Sequence, residues 1–208
     1  MKPIKPKKCK EPDCKKVYQP VRPLQSFCSI ECAIKDARKK TVKKEAIKDK
    51  EVKKGLLTHK DYLKALQTQI NAIVRNIDTN CTCISSGRLT GQFHAGHFHT
   101  VGGKPEIRFN LFNIWKQSAQ DNNFKSGNIQ DYIMNLNLMF GSEWVHENII
   151  NLPYKYPVLK LSIPELIDKI AICKEILKEQ KNGNYIALSV EDRVEIRNIL
   201  QKRLGIYK

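Results

Sequence analysis

Four cysteines near the start of the chain constrain its fold most. They stand as Cys9-x4-Cys14 and Cys28-x3-Cys32, two close pairs with thirteen residues between them. Thiols at this spacing fit a tetrahedral Zn²⁺ site with four thiolate ligands, each pair on a tight knuckle. Tyr18, Val21, Leu24 and Phe27 offer only a minimal core, and so short a segment cannot fold on that alone. With every ligand position filled by Cys and none left for water, the expected role of the zinc is structural. The alternative is a disordered arm carrying unrelated thiols.

Charge is the second constraint. The 208 residues carry a net +16, and residues 1–55 hold 18 Lys/Arg against 7 Asp/Glu. A segment this basic suits a polyanion, most simply duplex or branched DNA. A membrane-surface helix is disfavoured, because the segment lacks the Trp/Phe/Leu face such helices bury. No small-molecule substrate is indicated. Residues 1–8 read as a disordered basic arm and 1–32 as the zinc module. Residues 33–57 read as a Lys-rich helix or linker in which Lys39, Lys40, Lys43 and Lys44 are candidate phosphate contacts. No apolar stretch is long enough to span a membrane, and the N terminus lacks the apolar centre of a signal peptide, so a cytoplasmic protein is expected.

Residues 58–208 read as a second, α+β domain. Thr58 and Asp61 form a capping pair before Leu63, Leu66, Ile70, Ile73, Val74 and Ile77, which share one helical face. Residues 92–101 and 105–109 read as two short strands joined by a Gly102-Gly103-Lys104 turn. Ala95 and Gly96 are small enough to let a DNA backbone or a metal approach closely. Helices are expected over 128–140, near Trp144–Ile150, from Ser162 and from Ser189, the last two with Ser caps. Cys173 reads as a small buried apolar residue.

Within 83–128 lie Cys83-Ile84-Ser85-Ser86-Gly87, Ala95-Gly96-His97-Phe98, Arg108-Phe109-Asn110 with Asn113-Ile114, and Asn122-Asn123-Phe124-Lys125-Ser126-Gly127-Asn128. These motifs resemble those of the phage recombination protein family NinG. Their His, Asn, Asn order is similar to that of ββα-metal (HNH-like) nucleases. The resemblance implies a metal-dependent endonuclease acting on branched, Holliday-junction-like DNA. It implies a small ββα-metal core at 83–128, packed among helices, after a four-cysteine zinc module and a basic helix or linker.

Residue roles follow from the resemblance. His97 is the expected general base, Asn113 the residue that fixes its loop, and Asn122 a ligand of Mg²⁺ or Mn²⁺. Asp121, a harder ligand, is the alternative to Asn122. His94 stands where the family tends to have Asp, either as a ligand or beside one. Arg108, Lys116 and Lys125 are expected on phosphates. Relatives with a metal knuckle carry thiols where this chain has Cys83, Ser86, Ser118 and Asp121. Three of these are not thiols, so hydrogen bonds are expected to hold the finger in place of zinc. Two cuts per four-way junction make a homodimer the expected assembly. The competing reading is a DNA-binding recombination accessory without catalysis. A weaker third is a regulator that binds protein partners through the helical tail.

Overall fold

A computed structural model of the chain describes residues 5–207, apart from the side chains of Lys50, Lys53 and Lys54. The chain divides into two compact units, Met1–Leu57 and Thr58–Lys208.

In the first unit, strands β1 (Lys7–Lys8) and β2 (Val17–Tyr18) pair antiparallel, Lys7 opposite Tyr18. The expected basic arm is therefore partly ordered; its residues 1–4 lie outside the described residues. The expected minimal core is not built: Val21 and Leu24 are exposed, and only Tyr18 and Phe27 are half-buried. Polar bonds hold the knuckles instead, with Cys9 N–H on the Lys16 carbonyl at 2.8 Å and the Tyr18 hydroxyl on the Gln25 carbonyl at 2.8 Å. Helix α1 (Ile30–Gly55) follows, and the Cys32 N–H bonds the Ser29 hydroxyl at 3.2 Å in the manner of an N-cap. Of the two options for the Lys-rich segment, helix is the one observed. Ile34, Val42, Ile47 and Val52 on it are all exposed, so no continuous apolar stripe is buried.

The second unit opens with α2 (His59–Ile77), started by a reciprocal capping box between Thr58 and Asp61. Leu66, Ile70, Ile73, Val74 and Ile77 are buried on its inner face, as their spacing requires. Strand β3 (Phe93–His97) pairs antiparallel with β4 (Ile114–Ser118), His97 opposite Ile114 and Phe93 opposite Ser118. Short helices α3 (Ala119–Phe124), α4 (Ile129–Phe140) and α5 (Ser142–Val145) come next. Helices α6 (Ile163–Lys181) and α7 (Val190–Leu204) close the unit, each begun by a Ser capping box, Ser162 with Glu165 and Ser189 with Asp192.

The second strand is not where the sequence places it. Residues 105–107 form a single 3-10 turn, and the partner of β3 is 114–118. Pro105 lacks the N–H a ladder needs and suits the first position of a helical turn. The Ile-Trp-Lys-Gln-Ser run of β4 is buried along its whole length, so it carries no alternation to announce it.

The two-stranded sheet is covered on both faces. Ala95 and Ile114 face a core built from α2, α6 and α7, including Leu66, Ile70, Cys173, Ile176, Leu200 and Leu204. Trp115 faces a second cluster with Ile84, Tyr132, Leu136, Val145 and Ile149. Burial pushes the Cys173 thiol up to about 12, consistent with an inert core residue.

One buried ionic knot ties these layers together. Asp78, at the end of α2, accepts from Arg197 at 2.8 and 3.1 Å, from Arg193 at 3.0 Å and from the Lys116 backbone at 3.1 Å. The Arg197 guanidinium also lies 3.7 Å from the Trp115 ring centroid. All three charged side chains are buried.

Gly96 is required by packing. A Cβ there would lie 2.1 Å from Gln117 Oε1 and 2.9 Å from Gln117 Cβ. The close approach the sequence foresees is thus that of Gln117, not of DNA or a metal, and Ala95 is buried in the core. Gly96→Ala should overpack this contact and lower stability by about 1–3 kcal/mol. Denaturant melts would report it, and an unchanged midpoint would refute the contact.

Candidate functional site

The four N-terminal cysteines converge. Their sulfurs all lie within 4.8 Å of one another, with Cys14 and Cys28 at 3.5 Å and Cys28 and Cys32 at 3.6 Å. A tetrahedron with Zn–S bonds of ~2.3 Å has edges of about 3.8 Å. The Cys28 N–H points at Cys9 Sγ at 3.5 Å, the kind of peptide–sulfur contact that steadies a bound thiolate. The cluster can hold zinc by number, softness and spacing of its ligands. It is the one group of three or more His, Cys, Asp or Glu among the described residues arranged to bind a metal.

The basic side chains of this unit are partly spoken for. Lys39 pairs with Glu11 and, at 2.7 Å, with Asp13, and Lys40 pairs with Asp36 at 2.6 Å. Lys39 thus fastens the knuckle to α1, a structural contact the sequence does not announce. Lys43 and Lys44 are exposed.

In the second unit, alternation along β3 puts Phe93, Ala95 and His97 on one face and His94 and Gly96 on the other. His97 faces α2. Its Nε2 lies 3.0 Å from the Arg108 carbonyl and 3.2 Å from Gln67 Nε2. The Arg108 carbonyl, the nearer neighbour, only accepts, which assigns the ring proton to Nε2 and leaves Nδ1 its lone pair, with the Gln67 amide nitrogen a competing donor at the same atom. Burial lowers the His97 pKa, opposed by the Arg108 carbonyl and aided by the Arg108 charge. The ring is therefore neutral at neutral pH.

Asn113 is fully buried and brackets the chain after β3. Its Oδ1 accepts from the His99 N–H at 2.8 Å, its Nδ2 donates to the His99 carbonyl at 3.0 Å, and its own carbonyl accepts from the Phe98 N–H at 2.9 Å. The side chain acts as one more backbone unit of the hairpin. His99 bonds the Ile149 carbonyl at 2.8 Å and is half-buried.

His94 lies on the α3 side, where its Nδ1 is 3.3 Å from the Asn122 amide nitrogen. With the amide turned over, these two groups would sit near the roughly 3 Å edge of an octahedron with ~2.1 Å bonds. The pair has no carboxylate among its members. His97 is not brought to this pair: it lies three residues away on the opposite face of the strand.

Three expected assignments need correction. Asp121 is buried and committed elsewhere: it accepts from the Ser118 hydroxyl at 2.6 Å, Asn128 at 3.1 Å and Lys125 at 3.1 Å. Burial pushes its carboxyl up, but donors from Ser118, Ser86, Lys125 and Asn128 outweigh that and hold it below the usual carboxylate range. Both its oxygens are therefore already engaged. Lys125 is that carboxylate's partner before it is a phosphate's. Lys116 is buried, donates to the Thr79 and Cys81 carbonyls at 2.9 and 2.8 Å, and covers the Phe93 ring. It cannot reach DNA without breaking those bonds.

Cys83, Ser86, Ser118 and Asp121 do come together as a finger. Cys83 Sγ accepts from the Ser118 N–H at 3.1 Å and the Ser86 N–H at 3.4 Å, and lies 3.5 Å from Asp121 Oδ2. Hydrogen bonds thus join these positions. The turn that supports this cluster runs through Ser126, Gly127 and Asn128, all at positive φ.

Sequence reasoning missed the polar face of α2. Lys60, Lys64, Gln67 and Asn71 line a groove beside Arg108, and Arg108 Nε lies 3.4 Å from Gln67 Oε1. Their spacing of four, three and four residues is the signal that marks one helical face.

Comparison with known proteins agrees with the motifs. The family model described as "Bacteriophage Lambda NinG protein" matches residues 1–183. The chain is 34% identical over 160 residues to "Protein ninG" of Escherichia phage lambda, covering 68% of this chain and 78% of that one. It is 32% identical over 145 residues to "Protein ninG" of Salmonella phage P22, covering 61% and 71% respectively. No solved structure matches. With the family model spanning most of its length, and with it the cysteine quartet, the His97 hairpin and the Asn122 helix, the chain belongs to the bacteriophage NinG family.

Proposed function

We propose that this protein is a metal-dependent DNA endonuclease of the ββα-metal type that cuts branched DNA during phage recombination in the host cytoplasm. The observation that carries this reading is the state of His97: a neutral imidazole with Nε2 tied to the Arg108 carbonyl and Nδ1 free to take a proton. Asn113 supports it by pinning the backbone two residues beyond, which fixes the path of the chain leaving His97. The strand–strand–helix order of β3, β4 and α3 also supports it. His94 and Asn122 would hold Mg²⁺ or Mn²⁺, which would supply positive charge to the scissile phosphate. A homodimer would deliver the paired cuts a four-way junction requires.

A four-way junction and a linear duplex of the same sequence, each with Mg²⁺ and then Mn²⁺, test this. Wild type should prefer the junction, and His97→Ala should cut at least about 100-fold more slowly. Because the His97 pKa is lowered, its base form persists below the ordinary histidine value of about 6.5. Cutting should therefore hold its rate as pH falls through that value and decline only at lower pH. Undiminished cutting by His97→Ala would remove the residue from the mechanism.

One observation favours a second reading. His97 and the His94–Asn122 pair occupy opposite faces of β3, and the pair has no carboxylate. A DNA-binding recombination accessory without catalysis needs neither. Tight binding of junctions with no cutting in either metal would select it.

A further inference from the structure

The groove along α2 remains unexplained by the hairpin chemistry. It encloses about 650 Å³ and is lined by Lys60, Asp61, Lys64, Gln67, Asn71 and Arg108, among others. Its charge is uneven. Lys60 and Lys64 are exposed and form no ion pair among the described residues. The groove's acid, Asp61, is occupied by the capping box: its Oδ2 accepts from the Thr58 N–H at 2.8 Å and the Thr58 hydroxyl at 2.6 Å. Arg108 enters from the other wall, half-buried, its guanidinium 4.8 Å from the Phe109 ring centroid and its Nε on Gln67. Gln67 in turn bonds Asn71 at 2.9 Å. Three cations thus line a polar floor against one carboxylate, Asp61, whose bonds to Thr58 leave its charge in place, and the groove keeps a net positive charge.

We propose that this groove seats the sugar–phosphate backbone of a DNA strand, with Lys60, Lys64 and Arg108 as its phosphate contacts. Lys60 and Lys64 stand one helical turn apart, about 6 Å along the axis, so they meet successive points on a strand rather than one phosphate. Gln67 and Asn71 offer amide donors to backbone oxygens between them. The groove also touches the reactive end of the hairpin: Arg108 holds His97 Nε2 through its carbonyl, and Gln67 lies against the same nitrogen. A strand laid in it runs past the residues that fix the His97 ring. The proposal rests on the DNA-binding part of the reading above and not on catalysis.

The test uses the full-length chain and a fluorescent four-way junction, with binding followed by anisotropy over a salt series and no divalent metal. The variants are Lys60→Gln/Lys64→Gln and, as a control of equal charge and spacing, Lys174→Gln/Lys178→Gln on α6. Circular dichroism checks that each is folded. The groove variant should bind at least about tenfold more weakly at moderate salt, and its log–log salt slope should be shallower by roughly 2, while the control keeps the wild-type slope. A groove variant with the wild-type slope, or a control that loses as much, overturns the proposal. Wild type that binds but never cuts would defeat the catalytic reading and leave the groove to be decided by the slopes alone.

Discussion

Asp78→Ala should lower the stability of residues 58–208 by about 3–5 kcal/mol, the largest loss expected from a single residue in this unit. The substitution strands two buried guanidiniums: Arg197 loses both its bonds to the carboxylate, and Arg193 loses the bond from its Nε. A domain of this size has a total stability of only about 5–15 kcal/mol. The variant should therefore melt at a much lower temperature or fail to fold. The attraction is offset by the desolvation of three buried charges, so replacing the whole knot tests the mechanism better than breaking it. Asp78→Leu with Arg193→Met and Arg197→Met should recover most of the loss. If the triple variant is no better than Asp78→Ala, the stranded charges are not the cause.

The same residue sets the acid limit. Burial raises the Asp78 carboxyl, but the Arg197 and Arg193 charges outweigh it and hold its pKa well below the usual carboxylate range. Its contribution is complete above the unfolded value of about 3.9 and drains away as pH falls below that toward the folded value. Acid unfolding of wild type should start below that point, and Asp78→Ala should lose this limb of the profile.

Removing zinc should have the larger effect on the first unit. A four-thiolate site contributes apparent binding free energy on the order of 10–16 kcal/mol, and here exposed Val21 and Leu24 leave little core to replace it. Purified protein should carry one zinc per chain. Chelation, or Cys14→Ser, should release the metal and make residues 7–32 sensitive to protease. The thermal transition of residues 58–208 should stay where it was. A metal-free protein with the same protease resistance in that segment would show that the cysteines close no metal site.

Both experiments draw on features that differ in how plainly the sequence displays them. The cysteine quartet is legible because ligand spacing is local, and the capped helices are legible because Thr58, Ser162 and Ser189 sit beside their own partners. Asp78 is not legible in this way. It looks like an ordinary helix-ending residue, and its arginines are 115 and 119 positions away. Lys116 misleads for the same reason: a lysine between candidate site residues reads as a phosphate contact until the carbonyls of Thr79 and Cys81 are seen around it. The second strand escapes a reading of the sequence because Gly102 and Gly103 advertise a tight hairpin, whereas the chain makes a longer excursion and returns only at Ile114. Asn113 bonds the His99 backbone through both its amide oxygen and its nitrogen, a use open to Asn wherever a loop must be closed.

That closure has a consequence for how the hairpin tolerates change. The excursion between β3 and β4 is fastened at its base by the Phe98–Asn113 backbone bond and the two Asn113 bonds to His99. His97 lies on the strand side of the fastening. Residues 100–104 lie beyond it, at the far tip, and their length enters the free energy only through loop closure, which grows by about 0.6 kcal/mol per doubling. The tip can thus lengthen, shorten or change composition while the imidazole stays in register. The fold separates the 100–104 tip, free to diversify, from the Asn113 fastening and the Arg108 carbonyl, which must keep their places around His97.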